Sequence, residues 1–399
     1  MLIKNLLWEA TSKIVVQGIA FLFSIFLTRQ LTPEIYGEFG VIMAFVIIFH
    51  ALMDFSLVES FVQKHDANQK ELSSGYWGIV FMGGVTTLVF FVFIPIICKY
   101  LGYSNLGIPL RWMSLVFIIS VIGDGIGMTV TRAMNFKVHS KISMIANFSS
   151  SCIGLISAYQ GFGIYALIFQ FISKTSISTV LYFMFEKWRP TLYFNLNDIK
   201  IVSDYASKRT ATKFINQVIT NLDTVVLSIS LPVQQLGFYN KAKSVTNQYI
   251  NNSSSIFSGV YFSYFSKHKE KNDLLIASFI KAFFLLFSIT LLISILLVIF
   301  GENLFVFMFK EEWKESGQIF QYLIGISFVY PLIELIQVYL NAINQATTTL
   351  KINVLTKSLQ LICLFIAFKF GLTYFLISLI IKGILELIVN VVAMWKYII

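Results

Sequence analysis

A polar segment with basic residues at its start interrupts a strongly apolar chain at residues 205–228, YASKRTATKFINQVITNLDTVVLS. Side chains that recur every three or four residues share one face of a helix. Arg and Lys at one end of such a face suit a phosphate, which Arg binds through its planar fork of donors. The face consists of Arg209, Lys213, Asn216, Gln217, Thr220, Thr224 and Ser228, with Asp223 close by.

The chain around this segment is too apolar for a soluble protein. Of its 399 residues, 57% are hydrophobic and 13% are charged, and the mean hydropathy is +0.76, whereas soluble domains are about 25% charged. Residues 283–300 are apolar on every side, as a helix in a bilayer is. We therefore expect an all-α polytopic membrane protein. The apolar N-terminus is interpreted as a retained first span, because no small-x-small cleavage site follows it.

Windows of about 20 apolar residues predict twelve membrane spans. The eighth is weak by hydropathy, but a polar span survives where it faces a cavity. It also makes the number of spans even, which places both termini on one side. The spans are 9–30, 38–61, 75–98, 110–131, 141–160, 163–185, 208–230, 238–262, 276–300, 318–342, 351–369 and 373–395.

The distribution of basic residues orients these spans. Lys and Arg at the predicted cytoplasmic ends and loops outnumber those at the outer side by roughly three to one, which predicts cytoplasmic N- and C-termini. The net charge of +10 is interpreted as mostly reflecting this excess of cytoplasmic Lys and Arg. It therefore gives no reason to expect nucleic-acid binding.

An internal repeat predicts two lobes. Residues 13–37 align without a gap on residues 213–237, and a Lys, a Gln and a Gly are identical in register. Weaker similarities pair residues 132–137 with 341–346, and 162–165 with 370–374. Six spans separate the copies, so the halves run in the same direction; in transporters such a parallel repeat places the binding site between the lobes. We predict an N-terminal lobe at 1–188, a cytoplasmic linker at 189–206 and a C-terminal lobe at 207–399.

The first predicted span carries a polar stripe that matches the one on the seventh. A charged side chain in the middle of a bilayer costs roughly 2.5–3.5 kcal/mol on insertion scales, so two such stripes are expected to line a cavity that is basic towards the cytoplasm. The alternative is hydrogen bonding between the lobes, with the basic side chains reaching the inner membrane surface. The first stripe consists of Lys13, Gln17, Ala20, Ser24 and Thr28.

Other ionisable residues within spans are candidates for binding or coupling. Lys241 and Lys243 would lie deeper and pass an anion outward, or simply lie at the outer interface. Asp54, Asp223 and Lys174 are candidates for coupling or gating, with H⁺ or Na⁺ as a possible coupling ion. Each carboxylate also has the alternative of neutralising a nearby Lys. On the last span, Lys382 and Glu386 lie four residues apart and are expected to pair with each other.

Metal, cofactor and catalytic chemistry are not expected. The three Cys and four His are scattered, without metal-ligand spacing. The longest predicted outer loop, 301–316, is short and interleaves Glu with Lys as a solvated surface does. A membrane polymerase or glycosyltransferase needs carboxylate, His or metal-binding groups on a substantial loop, and is the less favoured alternative to a transporter.

Five stretches resemble, in order, motifs of one transporter family. Residues 27–40, LTRQLTPEIYGEFG, resemble L-x-R-x-L-T-P-E-x-(F/Y)-G, and DFSLVESFVQK (54–64) resembles D-x-G-L-x-x-A-L-I-Q with Ser56 in place of Gly. TRAMNFK (131–137), residues 222–245 and VYFSYFSK (260–267) match further motifs. The chain thus resembles, over its whole length, the Wzx-type O-antigen and polysaccharide flippases of the multidrug/oligosaccharidyl-lipid/polysaccharide (MOP) superfamily.

This resemblance implies a MATE-like (MOP) fold of about twelve spans in two six-helix lobes, V-shaped and working by alternating access. It implies a lipid-linked oligosaccharide flippase of the bacterial cytoplasmic membrane. Such a protein moves undecaprenyl-diphosphate-linked sugar units to the outer leaflet for O-antigen, capsule or exopolysaccharide synthesis. A polysaccharide polymerase and a chain-length regulator are candidate partners. The cargo's diphosphate would account for the basic stripe. Many exporters of this family have fourteen spans, two more than predicted here.

The nearest alternative is a cation-coupled multidrug extruder of the same superfamily. Such a protein should have acidic residues throughout the cavity of its N-terminal lobe, because its cargo is cationic. The stripes here are basic and rich in amides, so the flippase is favoured.

Overall fold

The computed structural model describes residues 16–53, 56–64, 66–268 and 272–397. These residues form α-helices and two short 3₁₀ turns, with no strand among them. The helices are α1 (Val16–Thr28), α2 (Pro33–Met53), α3 (Leu57–Gln63), α4 (Gln69–Leu101), α5 (Gly107–Arg132), α6 (Phe136–Tyr159), α7 (Ile164–Phe185), α8 (Leu196–Ser230), α9 (Val233–His268), α10 (Asn272–Phe309), α11 (Lys314–Ser327), α12 (Val329–Ala342), α13 (Ala346–Phe370) and α14 (Leu372–Trp395).

Nine helical segments of the described chain are long and apolar enough to cross a bilayer, which confirms the predicted class of polytopic helical membrane protein. Of the other predicted spans, α1 is apolar and is described only from Val16 onward, and α8 and α9 carry many polar side chains. The count of twelve therefore stays a prediction. The nine segments are Pro33–Met53, Gln69–Leu101, Ser104–Arg132, Phe136–Tyr159, Ile164–Phe185, Leu275–Phe309, Glu311–Ala342, Thr347–Phe370 and Leu372–Trp395.

Two of the predicted spans are interrupted. The second continues beyond α2 as the separate short helix α3, which starts after Ser56 in the left-handed conformation (φ 50°). The tenth is divided into α11 and α12 at Phe328. Pro331, in the first turn of α12, has no N–H to donate to the carbonyl four residues earlier, and its ring crowds that carbonyl, which favours an interruption of the helix here.

The chain divides into two compact units, unit 1 (Met1–Val225) and unit 2 (Val226–Ile399), and the boundary falls inside α8. In unit 2, Phe265, Phe279 and Tyr339 belong to a buried aromatic core. In unit 1, Tyr76 and Tyr182 belong to a smaller core between α4, α5 and α7. The predicted lobes, 1–188 and 207–399 around a linker at 189–206, stay a prediction.

Hydrogen bonds to the first turns of α4 fix the segment that leads into α8. The Thr191 N–H donates to Oγ of Ser73 (3.0 Å), and the Asn195 N–H donates to Oγ of Ser74 (3.1 Å). The Ser74 hydroxyl in turn donates to Asp198, at the start of α8 (2.7 Å). Since α8 begins at Leu196, the second half of the predicted linker is helical and continuous with the polar segment.

The turn before α2 has a counterpart before α9, as the predicted repeat requires. Helix α2 begins at Pro33 and α9 at Val233. The corresponding bonds Tyr36 N→Thr32 O (3.4 Å) and Leu236 N→Pro232 O (3.1 Å) lie in their first turns. The similarity that the sequence showed at 13–37 and 213–237 is therefore also a similarity of backbone hydrogen bonding where those stretches are described.

The weaker sequence similarities coincide with equivalent backbone conformations. After α5, Met134 has a φ of 50°, and after α12, Asn344 has a φ of 62°. Each turn is closed by a bond spanning five residues, Asn135 N→Val130 O (3.1 Å) and Gln345 N→Leu340 O (2.8 Å). The residues that precede α7 and α14, Gly163 and Gly371, both have a positive φ.

Helices α10 and α11 approach each other most tightly at Gly317, where an added Cβ would lie 2.7 Å from Cα of Glu302. We expect Gly317→Ala to destabilise the protein by about 1–3 kcal/mol, because backbone must move to accept the methyl group. The measurement is the thermal unfolding midpoint in detergent. Gly84→Ala is the matched control, since a Cβ there meets nothing within 4 Å. Equal midpoints in the two variants would contradict the close packing.

Candidate functional site

The basic end of the polar face on α8 contacts a carboxylate of α3. The Nε–H of Arg209 donates to Oε2 of Glu59 (3.1 Å), and Nζ of Lys213 lies 3.1 Å from Oε1 of the same residue. The side chains are 49%, 28% and 36% exposed for Arg209, Lys213 and Glu59. One carboxylate thus faces two cations about one helical turn apart, and a ligand has access to all three groups.

Helix α3 contacts α8 through polar side chains along its whole length. The Thr210 hydroxyl donates to Oγ of Ser56 (3.1 Å) at the start of α3, and Nε2 of Gln63 donates to the Tyr205 hydroxyl (2.8 Å) at its end. Glu59 lies between these two bonds. We call this set of contacts the α3–α8 contact. Its effect is to hold Glu59 against the basic pair of α8.

The conformation of Ser56 explains a feature of the sequence motif. Residues other than glycine rarely adopt a positive φ. Glycine is typical at the position of Ser56 in the D-x-G-L motif. Ser56 takes this conformation while its hydroxyl accepts the bond from Thr210, and its carbonyl accepts a bond from Ser60 (2.7 Å). The serine thus adds a link between α3 and α8 that a glycine cannot make.

Two of the motif stretches meet at the end of α3. The guanidinium of Arg132, in the 131–137 stretch, donates to the carbonyls of Phe61 and Lys64. Carbonyls at a helix C-terminus have no intrahelical partner and carry partial negative charge, so a cation is favourable there. The ammonium of Lys64 pairs with Glu71 (2.6 Å). These bonds fix the end of α3 independently of its contact with α8.

Glu59 lies in α3, outside the nine apolar segments, and remains ionised at neutral pH. Partial burial raises its pKa, but hydrogen bonds and charge from Lys213 and Arg209 outweigh burial and hold the pKa below its ordinary value. A depressed carboxyl pKa stabilises the fold above the unfolded pKa, and this stability is lost as the pH falls through the folded pKa.

We therefore expect the stability difference between wild type and Glu59→Gln to stay constant from pH 8 to about pH 5.5 and to shrink below about pH 4. Because Glu59 is more than a third exposed, the difference should be at most about 1 kcal/mol. Thermal midpoints of both proteins across this pH range test the expectation. A difference that grew towards acid pH would contradict it.

The exposed part of the polar face ends before its predicted end. Asn216 and Thr220 are exposed, whereas Thr224 and Ser228 are buried. Asp223 is also buried and accepts a bond from the Thr224 N–H (2.7 Å). Gln217 lies between the two parts, half-buried, and its carbonyl accepts a bond from Asn221 (2.9 Å). Helical spacing predicts one continuous polar face, but the second half of that face is buried.

The other predicted site residues lie apart from the α3–α8 contact. On α9, Lys241 is buried with its ammonium 4.3 Å from the centre of the Phe309 ring, and Lys243 lies over Tyr239 (5.9 Å). Lys174 on α7 is exposed, as is Gln17 at the start of the described part of α1. Lys13 and Asp54 fall outside the described residues. The roles predicted for all these residues stay predictions.

The predicted pair on the last span is confirmed. Nζ of Lys382 lies 3.0 Å from Oε2 of Glu386, and the two side chains are 14% and 12% exposed. The Lys382 ammonium also lies over the Tyr330 ring (5.7 Å). Among the described residues, no group of three or more His, Cys, Asp or Glu is arranged to hold a metal ion.

The known sequences that this chain matches include polysaccharide biosynthesis proteins. A family model described as polysaccharide biosynthesis protein matches residues 26–318. The chain is 22% identical to the teichuronic acid biosynthesis protein TuaB of Bacillus subtilis (strain 168), over 66% of this chain and 55% of that protein. It is 23% identical to the lipopolysaccharide biosynthesis protein WzxC of Escherichia coli (strain K12), over 79% and 65% of the two chains. The chain spans about half to two thirds of the length of these curated relatives.

Solved structures establish the fold. The inward closed conformation of the lipid II flippase MurJ matches with a TM-score of 0.78 at 14% identity, covering 96% of this chain and 86% of that one. An inward-facing multidrug resistance MATE family transporter of the MOP superfamily matches with a TM-score of 0.71 at 12% identity, covering 96% and 94%. The predicted MATE-like fold of the MOP superfamily is confirmed.

Proposed function

The chain belongs to the family of polysaccharide biosynthesis proteins, and on that premise we propose that it is a flippase for lipid-linked sugars. Its cargo would be an undecaprenyl-diphosphate-linked repeat unit, moved from the cytoplasmic to the outer leaflet of the bacterial cytoplasmic membrane. The observation that carries this proposal is the partly exposed pair Arg209 and Lys213 on a polar helix of a membrane protein.

The chemistry of α8 supports this cargo. Arg binds two phosphate oxygens through its planar fork, and Lys adds a point charge one turn away. The exposed amide and hydroxyl of Asn216 and Thr220 continue the same face and are suited to sugar hydroxyls. The diphosphate and the sugar of the proposed cargo would thus both have complementary groups along one helix, while the apolar segments of the protein would contact lipid.

The names of the relatives support the substrate class. TuaB and WzxC are named for the biosynthesis of teichuronic acid and lipopolysaccharide, and MurJ is named as a flippase of lipid II. Transport by alternating access, H⁺ or Na⁺ coupling through Asp54, Asp223 or Lys174, and cytoplasmic termini are parts of the proposal. So are a polymerase and a chain-length regulator as partners. The proposed role is transport, with no catalytic step.

Deleting the gene in its host tests the function. We expect loss of the surface polysaccharide and accumulation of diphosphate-linked oligosaccharide on the cytoplasmic leaflet, both restored by the wild-type gene. Normal polymer together with a new sensitivity to cationic drugs would instead support a multidrug extruder, whose cationic cargo Arg209 and Lys213 should repel.

A further inference from the structure

The carboxylate of Glu59 lies where a phosphate group would bind. Its two oxygens reach separate cations, Oε2 at 3.1 Å from Nε of Arg209 and Oε1 at 3.1 Å from Nζ of Lys213. This is the bridging geometry that two oxygens of a phosphate would adopt between the same side chains. An anion that bridges Nε of Arg209 and Nζ of Lys213 in this way must therefore displace Glu59.

A partly exposed basic pair in a membrane protein can bind phospholipid headgroups as well as the cargo. The cytoplasmic leaflet contains anionic phospholipids, and these are attracted to Lys and Arg near the surface. Each phosphodiester headgroup such as that of phosphatidylglycerol carries one negative charge. A basic site without any competing group would be occupied by these abundant lipids.

We propose that Glu59 is a specificity-determining residue, an internal counter-anion that excludes singly charged phosphodiester headgroups from Arg209 and Lys213 and yields to a diphosphate. The inference rests on the proposed function, because a diphosphate-linked cargo is what the site would select. Discrimination of this kind is a difference between two affinities, which a competing group sets by disfavouring the wrong ligand.

The charges explain why the two ligands differ. A phosphodiester brings the same single charge that Glu59 already supplies, and Glu59 is tethered beside the site at high effective concentration. Replacing Glu59 by a phosphodiester at the two cations therefore gains little binding free energy. A diphosphate brings at least two charges on separate phosphate groups, so it contacts both cations at once and gains more than the loss of Glu59 costs.

The packing of α3 allows Glu59 to leave and return. Leu57 and Phe61 are 2% and 0% exposed and fix the helix to the interior of unit 1, while Glu59 lies on the partly exposed side. We therefore expect displacement to occur by rotation of the Glu59 side chain while α3 stays in place. The bonds of Ser56 and Gln63 to α8 keep α3 in place during that rotation.

The test compares two soluble anions on the purified full chain in neutral detergent. Inorganic pyrophosphate represents the diphosphate, and glycerophosphoglycerol represents a headgroup with one charge. We expect wild type to bind pyrophosphate more tightly than glycerophosphoglycerol. In Glu59→Gln the ratio of the two affinities should fall at least tenfold, because glycerophosphoglycerol binds more tightly. Glu59→Ala should show the same loss, so the result does not depend on one variant.

Glu71→Gln is the matched control. Its carboxylate pairs with Lys64 at 2.6 Å and not with the basic pair, so the wild-type preference should persist. An unchanged preference in both Glu59 variants, or no preference in wild type, would overturn the inference. Failure of the proposed function shows separately, as normal surface polysaccharide after gene deletion.

Discussion

Replacing both Arg209 and Lys213 by Ala is expected to lower transport at least tenfold while the protein still inserts into the membrane at its normal level. Hydrogen bonds to charged groups contribute about 1.5–3 kcal/mol each, and each 1.36 kcal/mol in a barrier is tenfold in rate. Glu59, left without its partners, remains over a third exposed and stays hydrated. The measurement is surface polysaccharide in a deletion strain that carries the variant.

Lys208→Ala provides the matched control for this experiment. Lys208 neighbours Arg209 on α8, but its side chain is 74% exposed and pairs with Asp204 at 2.7 Å. The Lys208→Ala substitution removes one positive charge from the same helix and leaves Arg209, Lys213 and Glu59 unchanged. Normal polymer from the Arg209/Lys213 double variant, at native protein level, would remove these residues from the proposed site.

Removing one member of the Lys382–Glu386 pair is expected to destabilise the protein by about 3–5 kcal/mol, because the remaining charge is left buried without its partner. The pair lies within the apolar segment Leu372–Trp395, where water cannot compensate. Replacing both, as Lys382→Met with Glu386→Gln, should recover most of that loss. The measurement is a double-mutant cycle on thermal midpoints and on folded yield in detergent.

The exposed pair Asp204–Lys208 has the same spacing and serves as the comparison. Its side chains are 82% and 74% exposed, so Lys208→Ala should change the free energy of unfolding by about 0.5 kcal/mol or less. Single variants at Lys382 and Glu386 that unfold at the wild-type temperature would contradict the view that their charges need each other.

Properties that depend on neighbours in sequence were predictable. Hydropathy located the nine apolar segments, since a bilayer requires long apolar segments. Helical spacing placed Arg209 and Lys213 on one face and predicted the Lys382–Glu386 pair, since residues four apart are adjacent on a helix. The family resemblance anticipated the fold that the solved structures confirm.

Properties that depend on distant residues were not predictable. Glu59 and Arg209 are separated by 150 positions, so no local pattern in the sequence indicates their contact. The burial of Asp223 and Ser228 depends on tertiary packing, and helical spacing carries no information on that packing. The only local signal for the start of α3 was Ser56 at a motif position where glycine is typical.

The matching turns show that the repeat extends to the backbone at positions where the side chains differ. Met134 and Asn344 have no chemical similarity, yet both have a positive φ before a bond that spans five residues. A substitution in one of these turns therefore has to be judged by the backbone conformation that it must adopt rather than by side-chain similarity, because a turn that joins two helices tolerates few conformations.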